Sequence, residues 1–197
     1  MLSPDKSLVQ GVGKVYAGRA SSSPIVDLFI TLLSMGMNGY KRLLAKRQDM
    51  LQTFSTRLGD VAAKHGERLL QCPSNTISFG ITLDHLAPPP PTPKEATDQE
   101  DDETEYLKSV DKDISAFGSM LFSRCVSGTR VVPRAQQKNI GDYQFVGFGS
   151  SVKDYPHAYM TAACAIGLTT DELEEFYVRL DKTFQEKKQK QKCQTKL

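Results

Sequence analysis

The sequence predicts an α/β chain, with an α+β-like small domain in which a small sheet carries helices on one face. Three observations predict it. Apolar residues recur at helical spacing through several long stretches, period-two alternation or β-branched runs mark a few short ones, and 197 residues suffice for one sizeable core. No internal repeat suggests a solenoid, and a small sheet backed by helices is the simplest packing of such elements.

The elements follow in chain order. Ile25 to Asn38 reads as a helix with Ile25, Leu28, Phe29, Leu32 and Leu33 on one face, and Gly39 punctuates it. From Tyr40 to Lys64 the residues Leu43, Leu44, Met50, Leu51, Phe54, Leu58 and Val61 keep helical spacing, and His65-Gly66 supplies the stop. Thr76 to Leu83 alternates as a strand does. Ala87 to Thr104 opens with four prolines and continues with acids, so it has no means of packing and reads as a disordered insertion. Tyr106, Leu107, Val110, Ile114, Phe117 and Leu121 mark a helix that runs into Ser123. Val126 to Val132 and Tyr143 to Phe148 read as strands joined by a polar loop holding Pro133 and Gly141, and the small residues around Ala158 to Ile166 read as a short helix. The last helix opens with a capping box, Thr169-x-x-Glu172, and buries Leu173, Phe176, Tyr177, Leu180 and Phe184. The segments are therefore divided as 1–23 (a linking segment), 24–86, 87–105 (the acidic insertion), 106–185 and 186–197 (a basic tail).

Charge is segregated. The net charge is +2, but Lys94 to Glu105 holds seven acids against one base, and the last twelve residues hold five lysines against one acid. A modestly basic body with a basic tail suits a polyanionic partner such as tRNA; a simply solvated tail has the same composition. The most apolar run, Ile25 to Met37, contains Asp27 and is too short to span a bilayer, and no signal peptide opens the chain, so a soluble, cytoplasmic protein with no membrane partner is expected. Cys72, Cys125, Cys164 and Cys193 lie far apart, and His65, His85 and His157 show no metal spacing; free thiols and no metal are expected.

Two segments carry candidate chemistry. In Tyr16-Ala-Gly-Arg19-Ala-Ser21-Ser22-Ser23-Pro24, Ser23 reads as an N-cap and Pro24 as the first helical residue. Free N–H groups, three hydroxyls and the Arg19 guanidinium would together hold a phosphate; a cap beside a surface arginine is the plainer reading. In Gly118 to Pro133, Arg124 and Arg130 bracket a Ser-Gly break between an apolar helix end and a β-branched run. A fixed guanidinium there can address a guanine edge or a phosphate, or can simply favour the helix dipole. Arg130, on a strand, reads as a structural ion-pair partner.

These segments resemble one family, O-phosphoseryl-tRNA:selenocysteinyl-tRNA synthase. The resemblance is carried by Lys14-x-Tyr16-x-Gly18-Arg19-Ala20-Ser21, by Ile30 to Ser34 with Asn38-Gly-Tyr40-Lys41, by Gly118 to Pro133, by Tyr155-Pro-x-Ala158-Tyr159, by Ala165-Ile-Gly167 and by Arg179-Leu-Asp181, in family order through nearly the whole chain. It implies the smaller C-terminal domain of the fold-type I, aspartate-aminotransferase-like fold and a homotetramer with shared active sites. It also implies pyridoxal 5'-phosphate, bound mainly by a part upstream of this chain. Asp5-Lys6 looks like the family's aldimine-lysine motif, but Ser7, Gln10, Lys14 and Tyr16 align without a gap to the segment after that lysine. The resemblance thus implies no catalytic residue in this chain and no activity from it alone.

In the intact enzyme the resemblance implies loss of the phosphoseryl α-proton, departure of phosphate to leave a dehydroalanyl group, and addition of selenium from selenophosphate. Arg19 matches the family arginine that grips the substrate phosphate. Arg124 matches the one that reads the discriminator base of selenocysteine tRNA. A family lysine that touches tRNA aligns with Gln189, which leaves the flanking Lys188 and Lys190 as the tRNA-binding candidates. The small domain of another enzyme of the same cofactor class, such as a cysteine desulfurase or decarboxylase, and a non-catalytic tRNA-binding or assembly module are the competing readings.

Overall fold

The structure is a computed structural model that describes residues 4–15, 21–86, 99–134, 136–150, 152 and 155–194, without the side chains of 99–105, 107, 108 and 192–194. It divides into two compact units, Met1–Arg42 and Leu43–Leu197.

In the first unit, α1 (Lys6–Val15) is opened by Asp5, whose carboxylate accepts the Ser7 and Leu8 amides at 2.8 and 3.3 Å. Helix α2 (Ser23–Lys64) begins here and continues into the second unit. Its N-cap is Ser22, one residue before the expected Ser23: the Ser22 carbonyl accepts the first helical bond from Val26, and the Ser21 hydroxyl accepts the Ser23 amide. The punctuation is also displaced. Gly36, not Gly39, leaves helical geometry, at φ 61° and ψ 172°, a combination open essentially to glycine alone.

In the second unit α2 supplies Leu51, Phe54, Leu58 and Ala62 to the core and stops at the expected place. Glu67 N–H bonds the Ala62 carbonyl and Gly66 N–H the Ala63 carbonyl, both at about 3 Å, and Gly66 takes φ 82°. The chain then forms β1 (Leu69–Leu70), β2 (Ser78–Thr82), a 3₁₀ turn (Asp84–Leu86), α3 (Gln99–Ser123), β3 (Arg130–Val132), β4 (Gln137–Ile140), β5 (Tyr143–Val146), β6 (Tyr159–Ala163) and α4 (Thr170–Gln194).

One sheet has the order β1-β2-β6-β3, with every pairing antiparallel; β4 and β5 form a separate hairpin. Ile81, Met160 and Val131 are in register across β2, β6 and β3, so they share a face with Phe79 and Ala162. That face joins one apolar cluster with Phe54 and Leu58 of α2, Ile114, Phe117 and Leu121 of α3, and Tyr177, Leu180 and Phe184 of α4. The opposite face carries the register-matched Gly80, Thr161 and Arg130 and lies outside the cluster. The expected small sheet with helices on one face is thus formed.

Three further expectations are corrected. Ala158 to Ile166 is not a helix. Its centre is β6, held between β2 and β3 with burial alternating along Tyr159–Ala163, so cross-strand pairing overrides the helix preference of its alanines. The acidic insertion is not wholly unstructured, because α3 begins at Gln99. Residues 87–98 lie outside the described residues. Finally, the basic tail expected from residue 186 begins as helix: α4 runs on to Gln194 because Lys187, buried, pairs with Asp113 at 2.9 Å and the Gln191 amide donates to the Leu86 carbonyl at 2.7 Å.

Candidate nucleic-acid interface

Arg124 sits where α3 ends. Val126 N–H reaches back to the Leu121 carbonyl at 3.0 Å and Cys125 N–H to the Phe122 carbonyl at 2.9 Å, the same two-bond stop that ends α2, with Cys125 in the left-handed position at φ 58°. This turn fixes the backbone of Arg124. Its side chain is fixed too. One terminal nitrogen donates to the Met120 carbonyl at 3.1 Å, and the other donates to the Glu186 carboxylate of α4. Those bonds leave the Nε–H and one N–H on each terminal nitrogen for another acceptor. The side chain keeps 27% of its surface accessible.

Glu186 binds two cations at once. Lys190, one turn on, donates to its second oxygen at 2.8 Å. The Lys190 hydrogen bond, aided by the charge of Arg124, holds the Glu186 carboxyl below the usual range, so it is ionised at neutral pH. Lys188 points elsewhere: its ammonium donates to the His65 carbonyl at 2.7 Å, at the C-terminal end of α2, where a cation suits the dipole. Of the predicted tRNA contacts the structure therefore brings Arg124 and Lys190 together around one carboxylate, and it employs Lys188 to cap a helix. Glu186 went unremarked in the sequence. A Glu four residues before a Lys signals an intrahelical pair, but nothing local signals its bond to Arg124, 62 residues away.

Arg19, the predicted phosphate ligand, lies outside the described residues. Of the segment around it, Ser21 to Ser23 are described and open α2 in the first unit. Arg130 occupies β3 as expected but forms no ion pair among the described residues, so the expected structural pairing is not found there. A polar cluster missed by sequence reading includes Asp84, the first residue of the 3₁₀ turn. Arg68 donates to His157 Nε2 at 2.7 Å, which leaves the imidazole proton on Nδ1 to bond Asp84 at 2.6 Å.

A cleft of about 440 Å³ lies beside the α3 stop, lined by Cys125, Gly128, Ala163, Leu168, Phe176 and Arg179 among others. Arg179 closes one side by donating to the Cys125 carbonyl at 3.2 Å and to Glu175. A second cleft, of about 530 Å³, lies between α2 and the segment joining β1 to β2. No group of three or more histidine, cysteine or acidic residues is arranged to hold a metal among the described residues, and none of their helices is long and apolar enough to cross a membrane.

The family model described as O-phosphoseryl-tRNA(Sec) selenium transferase, SepSecS, matches residues 1–185. The chain belongs to this family. It is 37% identical over 187 residues to the O-phosphoseryl-tRNA(Sec) selenium transferase of Dictyostelium discoideum, covering 93% of this chain and 37% of that protein. Against the Caenorhabditis elegans protein of the same name it is 31% identical over 177 residues, covering 89% and 32%. The crystal structure of archaeal O-phosphoseryl-tRNA(Sec) selenium transferase superposes with a TM-score of 0.60 at 22% identity, over 91% of this chain and 33% of that one, a likeness of fold. The chain spans about a third of the length of the curated relatives it matches.

Proposed function

We propose that this chain is the C-terminal part of a pyridoxal-phosphate-dependent enzyme that converts O-phosphoseryl-tRNA(Sec) to selenocysteinyl-tRNA(Sec) with selenophosphate, and that it supplies contacts to the acceptor arm and to the substrate phosphoryl group. Membership of the selenium transferase family supports the reaction. The fold-type I small domain, the cytoplasm and a homotetramer belong to the same reading. The observation that carries this chain's share is the presentation of Arg124: a helix stop, a carbonyl and a carboxylate hold its guanidinium while donors remain for a base edge or phosphate. Arg19 is the proposed phosphate ligand, because a guanidinium that binds phosphate in two places is left unpaired by a plain seryl group.

Pyridoxal phosphate fits no site among the described residues. Neither cleft is lined by a lysine, and the buried Lys187 is committed to Asp113. Its binding is assigned to the part of the relatives' length that this chain does not span. What this chain does is bind and orient. Arg124, with Lys190 beside it, holds the acceptor end, and Lys188 adds charge to the same helix.

The test is binding of the intact protein to selenocysteine tRNA and to a serine tRNA across a salt series. Arg124→Ala is expected to remove the preference for selenocysteine tRNA, by about 1–3 kcal/mol for a lost bidentate base contact. An unchanged preference rules Arg124 out as a discriminating contact. For the phosphoryl group, Arg19→Ala is expected to slow conversion of phosphoseryl-tRNA on the order of 100-fold, and normal conversion by that variant would remove the assignment.

A further inference from the structure

We propose that Glu186 is a specificity-determining residue of the RNA-facing surface: its carboxylate, shared by Arg124 and Lys190, withholds both cations from the phosphates of unsuitable RNA. The inference rests on Arg124 as an acceptor-arm contact and names a residue that governs how that contact discriminates.

The geometry has three parts. Glu186 bonds Arg124 with one oxygen and Lys190 with the other, so one negative charge damps two positive ones. The carboxylate is part-exposed, at 37%, and lies on a helix whose neighbouring positions hold Lys182, Lys187, Lys188 and Lys190. Of these, Lys187 and Lys188 are already committed to Asp113 and to the His65 carbonyl. Lys182 is exposed and lies outside this cluster, so Arg124 and Lys190 are the two cations held by Glu186, which an incoming phosphate must compete with to recruit them.

Competition of this kind separates ligands. A backbone phosphate is an anion, so at the spare donors it is repelled by the carboxylate beside them and elsewhere it must displace that carboxylate, and non-specific affinity stays low. A base edge placed against the spare Nε–H and terminal N–H donors adds bonds without displacing Glu186 at all. The carboxylate therefore penalises non-specific binding more than cognate binding, which is discrimination by an introduced repulsion.

The experiment measures equilibrium binding of selenocysteine tRNA and a serine tRNA to the intact protein and to its Glu186→Gln, Glu174→Gln and Arg124→Ala variants over a salt series. Glu186→Gln is expected to tighten serine tRNA binding on the order of fivefold, to tighten selenocysteine tRNA less, and to steepen the log–log salt dependence by about 1 to 2 as two cations are released. Glu174→Gln removes the same charge from the same helix, where Glu174 pairs with Arg57 at 2.7 Å, and is expected to leave the ratio of the two affinities unchanged. Weaker binding of selenocysteine tRNA in Glu186→Gln, an unchanged ratio, or equal narrowing in Glu174→Gln overturns the proposal. No effect of Arg124→Ala on either tRNA instead removes the acceptor-arm reading beneath it.

Discussion

Cys125 holds a left-handed backbone, φ 58°, in the position where helices most often place glycine, and an L-side chain there costs about 1 kcal/mol. Cys125→Gly is expected to raise unfolding stability by about 1 kcal/mol and Cys125→Val to lower it by at least as much, read from urea midpoints. Asp181 sets a different balance. Burial pushes its carboxyl up, but hydrogen bonds from Lys64 and His65, both at 2.7 Å, outweigh burial and hold it below the ordinary value. A carboxyl depressed in the folded state stabilises fully above its unfolded pKa, about 3.9, and loses that contribution as pH falls through its folded value. Asp181→Asn is therefore expected to be less stable at pH 7 and to lose less further stability below about pH 4, measured by denaturation at several pH values. Residues with local jobs were legible. The Thr169-Glu172 box forms in both directions, with Thr169 N–H to Glu172 at 2.8 Å and Glu172 N–H to the Thr169 hydroxyl at 3.3 Å, because both partners lie within one turn. Glu186 was not legible, because its decisive partner is remote in sequence.

Among the elements, helices with an apolar stripe were read well and elements fixed by neighbours were not. The stripes of α2, α3 and α4 contribute Phe54, Phe117 and Phe184 to the same core, as their spacing required. β6 carries Ala162 and Ala163, whose intrinsic preference is helical, and only the strands on both sides make it a strand. The basic end of α4 shows the same limit, since composition reports solvation while an aspartate on another helix decides order. Lys187 keeps 7% of its side chain accessible and its partner Asp113 keeps 30%. Lys187→Met keeps the volume but leaves that carboxylate without its cation. Because Asp113 is partly wetted, the expected loss is about 1–2 kcal/mol rather than the larger cost of a fully buried orphan. Thermal melts and helicity of the variant check it, and an unchanged midpoint would show that the end of α4 is not anchored through this pair.

For the molecule as a whole, the two units stand in contrast. The second closes a core with Ile81, Leu83, Ile114, Phe117, Leu121, Met160, Leu180 and Phe184 fully buried. In the first, α2 carries the apolar face that the sequence spaced as buried, but Ile25, Leu28, Phe29, Leu32 and Leu33 are each 49–72% exposed. Periodicity shows that a face is apolar; it does not show whether this chain covers it. Uncovered apolar surface on an ordered helix attracts apolar dyes and lowers solubility. The isolated chain is therefore expected to bind anilinonaphthalene sulfonate under native conditions, and Phe29→Glu with Leu33→Lys is expected to remove most of that signal. Since both positions lie in the first unit and outside the core, the double variant is expected to keep the urea midpoint of the second unit within about 0.5 kcal/mol of the parent. Loss of the dye signal together with that midpoint would mean that this helical face is energetically coupled to the closed core, and loss of neither would mean that the dye reports a different surface.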